Sequence, residues 1–491
     1  MAVGLSGKFN ILTQSPHDSS PCAPALPAKE EGEVSWMPSR YTVRATADDG
    51  RLVLWNTYKG TMTAFSADKK PVIESLLSQK GFNAKPEGIV AYLEKRGFLV
   101  KEGTNEYRRL QLAFGQQHYR TDVLELILLA SEDCNFRCPY CYEDFARGTM
   151  LPEVREAVKK LVRKKLSGLD RLSVSWFGGE PLYGWEAVED LGPFFAEIAE
   201  ENGIRYDSNM TTNGYLLTPE VAEKILSWKI NRFQITIDGP AESHNKTRPG
   251  RDGSETFDTI FENLRSMAQR PDKFTVDIRV NFDRNNYPKL TELLDMLGET
   301  FKDDPRFRMR FRAVGKWGGD NDADLETCGN DAPRMQMEMQ QEATKLGLTL
   351  SDDIRQIGGM GAKVCYAARP YNMIIGASGQ VMKCTVDLDR LDRNIVGHLN
   401  AEGELAIDDD KMALWTEPAF ENDSKCKKCV VLPVCQGIHC PQIRLDHNTQ
   451  PCTPLRLNYK AELREAVKSR DTRRPFNPPA ADAAKQAEER A

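Results

Sequence analysis

The alternation of strands and helices between residues 121 and 316 constrains the fold of this chain more than any other feature. Amphipathic segments such as Pro152–Lys165 and Thr256–Gln269 are predicted to be helices, and they separate short apolar runs. The six predicted strands are Leu124–Leu129, Leu172–Trp176, Tyr206–Met210, Phe233–Ile237, Thr275–Asn281 and Arg308–Ala313. Strands that alternate with helices in this way run parallel, with the helices packed on the sheet. The pattern predicts an α/β fold, either an open sheet or a barrel.

Length and charge exclude several classes of protein. The chain has 491 residues, which suggests roughly three domains. Its 66 Lys and Arg residues face 72 Asp and Glu residues, so no overall basic field favours nucleic acid or an anionic membrane. The most apolar stretch, residues 123–130, is interrupted by Glu125 and is too short to span a bilayer. The first 37 residues contain no apolar signal segment, so we expect a cytoplasmic protein.

Shifts in composition divide the chain into six parts. The first is rich in Ser, Pro and Ala, the second contains a hairpin turn at Asp49–Gly50 followed by helical segments, and the fifth is rich in cysteine. The predicted divisions are a disordered lead at 1–37, a small module at 38–117, the repeating α/β units at 118–318, a polar bridge at 319–362, a cysteine-rich domain at 363–458, and a C-terminal helix with a disordered tail at 459–491.

Three cysteines share one loop directly after the first predicted α/β strand, in the segment Cys134-Asn-Phe-Arg-Cys138-Pro-Tyr-Cys141. A parallel α/β fold presents its active-site loops at this end of the strands. Three thiolates without a fourth ligand at matching spacing suit a four-iron cluster with one open iron, where a cofactor or substrate can bind. The alternative is a zinc site, which normally takes four protein ligands.

This C-x3-C-x2-C segment, with Tyr140 before its last cysteine, closely resembles the signature of radical S-adenosylmethionine (SAM) enzymes. The resemblance implies a partial (β/α)6 TIM-like barrel in which Cys134, Cys138 and Cys141 hold a [4Fe–4S] cluster. It also implies that the methionine part of SAM binds the open iron and that one-electron reduction yields a 5′-deoxyadenosyl radical.

The ends of the next three predicted strands carry the other residues that this resemblance places near the cofactor. Two glycines before Glu180 allow close approach of the backbone, and the Glu180 carboxylate can accept from an ammonium group. Each motif taken alone also fits an ordinary turn. The predicted cofactor-binding residues are Tyr140, Gly178, Gly179, Glu180, Thr212, Asn213, Thr236 and Arg248. The residue that binds the carboxylate of SAM stays open among Thr236, Arg248, Arg279 and Asn281.

Seven further cysteines lie between Cys365 and Cys452. The C-x2-C-x5-C run that begins at Cys426 also fits a zinc ribbon. Linked to the first motif, the order of these cysteines is similar to the SPASM extension of peptide-modifying radical SAM enzymes, which binds two auxiliary [4Fe–4S] clusters. The resemblance implies an outer cluster on Cys426, Cys429, Cys435 and Cys452, and an inner cluster on Cys365, Cys384 and Cys440.

The inner set is one ligand short, and the sequence leaves its completion open. Either Cys328 supplies the missing ligand, or Cys328 is an unliganded loop cysteine and one iron stays open to a substrate thiolate or a small ligand. His439 stands where the family pattern has a cysteine. Asp387 is a candidate catalytic proton acceptor, because some relatives have an aspartate directly after the cysteine that corresponds to Cys384. That adjacent position is Thr385 here, so a solvated, non-catalytic Asp387 is the favoured alternative.

The small module resembles the winged-helix RiPP recognition element of enzymes that modify ribosomally made peptides. The resemblance implies that a leader peptide adds as a strand to an exposed sheet edge. The alternative is a structural cap over the barrel.

Together these features predict an oxidoreductase that installs an oxidative cross-link, whether thioether, carbon–carbon or ether, in a precursor peptide. The expected cofactors are SAM and three [4Fe–4S] clusters, and the expected partners are the precursor with its leader and a one-electron reductant of flavodoxin or ferredoxin type. No nucleic acid or membrane partner is expected. Formylglycine formation by a sulfatase-maturase-like enzyme is the catalytic alternative, and an iron–sulfur carrier or zinc scaffold is the non-catalytic one.

Overall fold

The computed structural model describes residues 29–143, 145, 147–316, 322–351, 357–388 and 390–469. The predicted small module is built from two three-stranded sheets and three helices. Its elements are β1 (Val34–Pro38), β2 (Thr42–Thr46), β3 (Leu52–Asn56), β4 (Thr61–Phe65), α1 (Lys70–Ser78), β5 (Phe82–Ala84), α2 (Gly88–Lys95), β6 (Leu99–Lys101) and α3 (Glu106–His118). One sheet has the order β2-β3-β4 and the other β5-β1-β6.

The predicted disordered lead is too long at its C-terminal end. Val34–Pro38 is a strand, because the Trp36 side chain is buried and its Nε1 donates to the carbonyl oxygen of Ala84 at 3.0 Å. Residues 1–28 of the predicted lead lie outside the described residues.

All six predicted α/β strands are present, with ends that differ from the prediction by only a few residues. The strands are β7 (Val123–Ser131), β8 (Arg171–Gly178), β9 (Arg205–Thr212), β10 (Ile230–Thr236), β11 (Thr275–Phe282) and β12 (Phe307–Ala313). The intervening helices are α4 (Pro152–Lys165), α5 (Trp185–Glu201), α6 (Pro219–Ser227), α7 (Ala241–Thr247), α8 (Phe257–Ala268) and α9 (Leu290–Phe301). The strands are parallel and adjacent in chain order, and β12 does not pair with β7 among the described residues. The predicted α/β class is confirmed.

The core of this unit lies between the sheet and its helices. On β8, for example, Leu172, Val174 and Trp176 are buried against the helices, while the alternating serines Ser173 and Ser175 face the other side of the sheet. This alternation leaves a polar concave face, which is available for the site described below.

The predicted bridge at 319–362 is in part a continuation of the barrel. Helix α10 (Ala332–Lys345) buries Met335, Met339 and Ala343 at helical spacing, and β13 (Thr349–Leu350) pairs parallel to β12. Sequence polarity before α10 suggested a linker and concealed this unit. Residues 317–321 and 352–356 of this region lie outside the described residues.

The cysteine-rich domain extends the same sheet. Its elements are β14 (Asn372–Ile375), β15 (Gln380–Met382), α11 (Leu391–Asn394), β16 (Ile395–Leu399), β17 (Leu405–Ile407), α12 (Asp409–Thr416), α13 (Ser424–Lys427), α14 (Leu432–Cys435), α15 (Pro441–His447) and α16 (Leu455–Ser469). β14 pairs parallel to β7, and β15 to β17 follow as antiparallel strands. Eleven strands thus form one sheet in the order β13-β12-β11-β10-β9-β8-β7-β14-β15-β16-β17.

The small module packs directly on the cysteine-rich domain. Trp55 Nε1 donates to the carbonyl oxygen of Gly358 at 3.1 Å, and Thr57 Oγ1 donates to that of Val430 at 2.6 Å. Apolar side chains of β2 and β3 share a core with Val431, Val434 and residues of α16. None of the helices in the described ranges is long and apolar enough to cross a bilayer.

Candidate active site

The cysteine loop, residues 134–141, begins three residues after β7 and is held at its base by Asp133. One Asp133 oxygen, Oδ1, accepts from the Cys134 backbone N–H at 2.8 Å and from Arg137 Nη2 at 3.0 Å. The other, Oδ2, accepts from Arg251 Nη1 at 2.9 Å. Asp133 was not among the predicted site residues, and nothing in the sequence distinguished it from a solvated aspartate.

The three thiols of this loop lie close together and are shielded from water. Burial raises the pKa of Cys134 and of Cys141 to about 12, and other thiols of the loop contribute to both shifts. Burial also raises the pKa of Cys138. A cationic iron centre among them would stabilise the thiolates instead, because a bound metal deprotonates a coordinating thiol. The donor set therefore fits the predicted [4Fe–4S] cluster.

The predicted glycines bring the end of β8 against the cysteine loop. Gly178 has φ +114°, and a Cβ atom there would lie 2.2 Å from the carbonyl oxygen of Ser131. A Cβ atom on Gly179 would lie 2.6 Å from the carbonyl oxygen of Asp133 and 3.2 Å from Cys134 Cβ. The sequence suggested close approach to a ligand, whereas the structure shows that backbone contact already requires both glycines.

Glu180 is fully buried and joins the ends of β8 and β9. Its Oε1 accepts from the Leu182 backbone N–H at 2.9 Å and from Thr212 Oγ1 at 2.7 Å, and its Oε2 accepts from the Asn213 backbone N–H at 2.6 Å. Burial raises the pKa of Glu180, although these bonds and Arg248 act in the opposite direction. A carboxylate has about four acceptor positions, so one remains for an ammonium group.

Asn213 then ties β9 to the cysteine loop. Its Nδ2 donates to Asn135 Oδ1 at 2.7 Å and lies 3.8 Å from Cys134 Sγ. The predicted residues Glu180, Thr212 and Asn213 thus form one connected network beside the three thiols.

Tyr140, Asp238 and Arg248 form a second buried network on the other side of the loop. The Tyr140 hydroxyl donates to Asp238 Oδ2 and accepts from Arg248 Nη1, the latter at 2.7 Å. Asp238 Oδ1 also accepts from the Asn281 backbone N–H at 3.0 Å. Burial raises the pKa of Asp238, while Arg248 opposes the shift. Asp238 was not among the predicted site residues.

The four candidates for binding the carboxylate of SAM lie at different distances from Tyr140. Arg248 and Asn281 both contact Tyr140, whereas Arg279 Nε donates to Asn281 Oδ1 at 2.7 Å one step further away. Thr236 lies beside Arg279 in the register of β10 and β11. Arg248 Nε is buried without a hydrogen-bond partner, so Arg248 has an unused donor at this site.

The outer cysteines surround a single cavity. Cys426, Cys429, Cys435 and Cys452 all line a space of about 290 Å³. Burial raises the pKa of Cys426 to about 12 and that of Cys435 to about 11, and the neighbouring thiols of the set raise both further. Four thiols around one cavity of this size fit the predicted outer cluster.

The inner cysteines also lie near one another. Burial raises the pKa of Cys365 to about 11, and the nearby Cys440 thiol contributes to this shift. Burial raises the pKa of Cys384 to about 12, and the nearby Cys365 thiol contributes in the same way. β15 ends two residues before Cys384, next to the paired strands β14 and β7. No three His, Cys, Asp or Glu side chains of the described ranges converge on a single-ion site.

A family model described as the radical SAM superfamily matches residues 128–297. This span contains the cysteine loop, the Glu180 network and the Tyr140–Arg248 network. The chain contains a radical SAM domain. The predicted radical SAM domain and its predicted α/β barrel class are therefore confirmed.

Curated relatives of the radical SAM domain include the radical SAM cyclopropyl synthase TigE of Paramaledivibacter caminithermalis, which is 25% identical over 45% of this chain and 52% of its own length. A cysteine-type anaerobic sulfatase-maturating enzyme of Clostridium perfringens is 33% identical over 28% of this chain and 38% of its own length. The chain thus spans about half the length of these relatives or less.

Among solved structures, native anSMEcpe with bound AdoMet and Cp18Cys peptide superimposes with a TM-score of 0.52 at 19% identity. The superposition covers 70% of this chain and 97% of that one. At 19% identity this similarity establishes only that the two chains share a fold over the superimposed part.

Two predicted residues outside the radical SAM domain have other surroundings than expected. Cys328 is buried in the barrel core with Sγ 4.0 Å from the carbonyl oxygen of Phe282, and the structure does not bring it to the inner set. His439 Nδ1 lies 3.2 Å from the carbonyl oxygen of Lys363. The unliganded alternative for Cys328 is the one that fits this position.

The interpretation of Asp387 as a solvated aspartate is wrong, because its side chain is buried and paired, whereas its role as a proton acceptor stays a prediction. The Asp387 side chain is only 2% exposed, and both of its oxygens accept from Arg393 at 2.6 Å. Arg393 also pairs with Asp446 at 2.6 Å, and Gln442 Nε2 donates to Asp387 at 3.1 Å. A carboxylate held in this way connects α11 to α15 and positions the loop after Cys384.

Proposed function

We propose that this protein is a radical SAM maturase that installs an oxidative cross-link in a ribosomally made precursor peptide. The observation that carries the proposal is the pairing of β14 with β7, because this pairing joins the cysteine loop and the inner cysteine set through one sheet. An enzyme that removes a hydrogen atom and then a further electron from one substrate needs both sites close together.

In this proposal Cys134, Cys138 and Cys141 hold the cluster that binds SAM, Glu180 accepts from the ammonium group of SAM, and Arg248 binds its carboxylate. When bound, SAM supplies a 5′-deoxyadenosyl radical on one-electron reduction. The buried networks of Tyr140 and Asn213 fix the cysteine loop before the cofactor arrives, so little reorganisation accompanies the reaction.

The peptide side chain that reacts would lie between the cysteine loop and the inner set. Tyr142 occupies this region, since both Cys141 and Cys384 are near enough to raise its pKa in addition to burial. It packs on an apolar group that includes Ile127, Leu129 and Phe177. These side chains would exclude water, which protects a carbon radical from side reactions.

The inner and outer sets would hold two auxiliary [4Fe–4S] clusters that take up the electron lost when the cross-link forms. The electron that reduces SAM would come from a separate one-electron reductant of flavodoxin or ferredoxin type. Such a reductant suits the cytoplasm, where thiols stay reduced. Three four-iron clusters require about 12 iron atoms per chain.

The small module would bind the leader of the precursor at β4. In the described part of the chain β4 pairs only with β3, so its outer edge is available for strand addition. The opposite edge strand, β2, is covered by α16, where Arg464 Nε donates to the carbonyl oxygen of Thr46 at 3.0 Å. The leader would therefore bind at only one edge of this sheet, the edge formed by β4.

Formylglycine formation is the second candidate, and similarity to the sulfatase-maturating enzyme favours it. The small module argues for a long precursor instead, because strand addition to its sheet requires an extended segment beyond the residues that react.

Coexpression with candidate precursors followed by mass spectrometry tests the proposal. A cross-linked product lacks two hydrogens, whereas formylglycine replaces the side-chain thiol of cysteine with an aldehyde. The triple variant C134A/C138A/C141A should lose SAM cleavage to 5′-deoxyadenosine, and C328A, which removes a buried cysteine outside all three sets, should retain it. Cleavage by the triple variant at the parental rate would overturn the proposal, and zinc in place of iron would point to a scaffold.

A further inference from the structure

A group of exposed cations surrounds the outer cysteine set. Lys425, Lys427 and Lys428 flank Cys426 and Cys429 in the chain, and all three lysines are exposed. None of the three forms an ion pair with any residue of the described ranges. Unpaired lysines at this density create a local positive potential that acts on a partner before contact.

A fourth cation lies directly on the set. Arg456 is exposed, and its Nη1 lies 2.9 Å from Sγ of Cys452, the one exposed cysteine among the described residues. The adjacent Leu457 has 89% of its surface exposed. The outer site thus reaches the surface at Cys452, where the cation of Arg456 and the exposed apolar Leu457 are neighbours in the chain, a composition suited to a protein contact.

Asp423, the acidic residue nearest in sequence to this rim of cations, does not cancel its charge. Asp423 Oδ1 accepts from the backbone N–H groups of Lys425 at 2.6 Å and Cys426 at 3.1 Å, so it caps α13. Its charge is directed to the start of that helix, while the lysine side chains extend into solvent.

We infer that this cationic rim, Lys425, Lys427, Lys428 and Arg456, is the docking surface for an acidic one-electron carrier protein. The inference rests on the proposed function and adds the partner of the outer site. Oxidation of the substrate radical releases one electron and one proton; the docked carrier, arriving in its oxidised form, gains the electron, and the proton passes to water. Contacts between such redox partners are small and depend on charge more than on buried area.

The test compares two triple variants of the anaerobically reconstituted full chain with the same change in net charge. K425E/K427E/K428E reverses the rim, and K80E/K273E/K302E reverses three exposed lysines elsewhere. Binding of an acidic flavodoxin and of an acidic ferredoxin is measured at low and at high salt. The rim variant should bind about tenfold more weakly at low salt, the difference should shrink at high salt, and the control should bind within about twofold of the parent.

Two further measurements keep the outcomes distinct. The charge-preserving variant K425R/K427R/K428R should bind the carrier as the parent does, and all variants should keep the parental iron content and dithionite-driven SAM cleavage. Equal losses in the rim and control variants, or a rim variant that loses binding of the precursor leader but not of the carrier, would overturn the docking site. A parent chain that cannot cleave SAM would instead overturn the proposed function.

Discussion

The backbone N–H of Asn213 donates to the buried carboxylate of Glu180 across 2.6 Å, which fastens the end of β9 to the end of β8. The same carboxylate accepts from Leu182 and Thr212, and the Asn213 side chain continues the connection to Asn135 in the cysteine loop. One side chain therefore sets the relative positions of three loops that surround the proposed cofactor.

Replacement of Glu180 by alanine should lower the free energy of unfolding by about 3 kcal/mol, because buried N–H groups of Leu182 and Asn213 lose their acceptor. Affinity for SAM should fall in parallel. Urea unfolding of the apoprotein and equilibrium dialysis of the reconstituted enzyme measure the two effects. E186A removes a glutamate whose side chain is 89% exposed, and it should change stability by less than about 0.5 kcal/mol. Equal stabilities of the two variants would refute this role.

Removal of Arg248 should have an effect that depends on pH. R248A removes the cation that the Tyr140 hydroxyl connects to the buried Asp238, and this should cost up to about 3 kcal/mol at neutral pH. Burial already raises the pKa of Asp238, and loss of Arg248 raises it further. A carboxyl group with a folded pKa above its unfolded pKa favours the folded state at low pH, and this contribution is lost as the pH rises through the folded pKa. The deficit of R248A should therefore shrink as the pH falls from neutral toward the ordinary pKa of an aspartate, about 4.

Urea unfolding at several pH values measures this deficit. R248K, which keeps a positive charge, should show a smaller deficit with a weaker dependence on pH. A deficit for R248A that grows as the pH falls would contradict the influence of Arg248 on the Asp238 carboxyl group.

Asp387 provides a test that separates positioning from proton transfer. D387N breaks a buried ion pair with Arg393 and should lower the free energy of unfolding by about 3 kcal/mol. Iron per chain should fall because the loop after Cys384 loses its anchor, while SAM cleavage at the first cluster persists. If D387N keeps parental stability and iron content but forms no product, Asp387 is catalytic after all.

The contact between the small module and the end of the bridge, just before the cysteine-rich domain, is tested at Gly60. Gly60 has φ +70°, and a Cβ atom there would lie 2.7 Å from Gly359 Cα. Gly103 has a similar φ of +79° with no atom within 4 Å of such a Cβ. G103A should cost only the backbone strain, about 1–2 kcal/mol, whereas G60A should cost more and expose the junction to limited proteolysis. Equal protease resistance in the two variants would show that the contact is not required.

The sequence was sufficient to predict the repeating unit of the barrel. Its strands are apolar runs with period-two burial, as in β8, and helices such as Pro152–Lys165 begin at a proline and have a clear apolar stripe. The cysteine spacing predicted the first group of thiols because its three cysteines are close in sequence, and the cysteines predicted for the outer and inner sets also lie near one another.

Long-range contacts could not be predicted. β13 has two residues and β14 four, and both exist only because neighbouring strands pair with them. The ion pair of Asp387 with Arg393 and the bond from Tyr140 to Asp238 likewise depend on packing. A short strand or a charged residue in a single sequence carries no periodic signal that reveals such partners.

The pairing of β7 with β14 in one sheet fixes the distance between two parts of the protein that a flexible linker would leave variable. Backbone hydrogen bonds, rather than a tether, set the spacing between the cysteine loop and the inner cysteine set, which the proposed function makes the radical source and the nearest electron acceptor. Tunnelling rates between them would then be a constant of the architecture, the same in every turnover and insensitive to the length or identity of the peptide being processed.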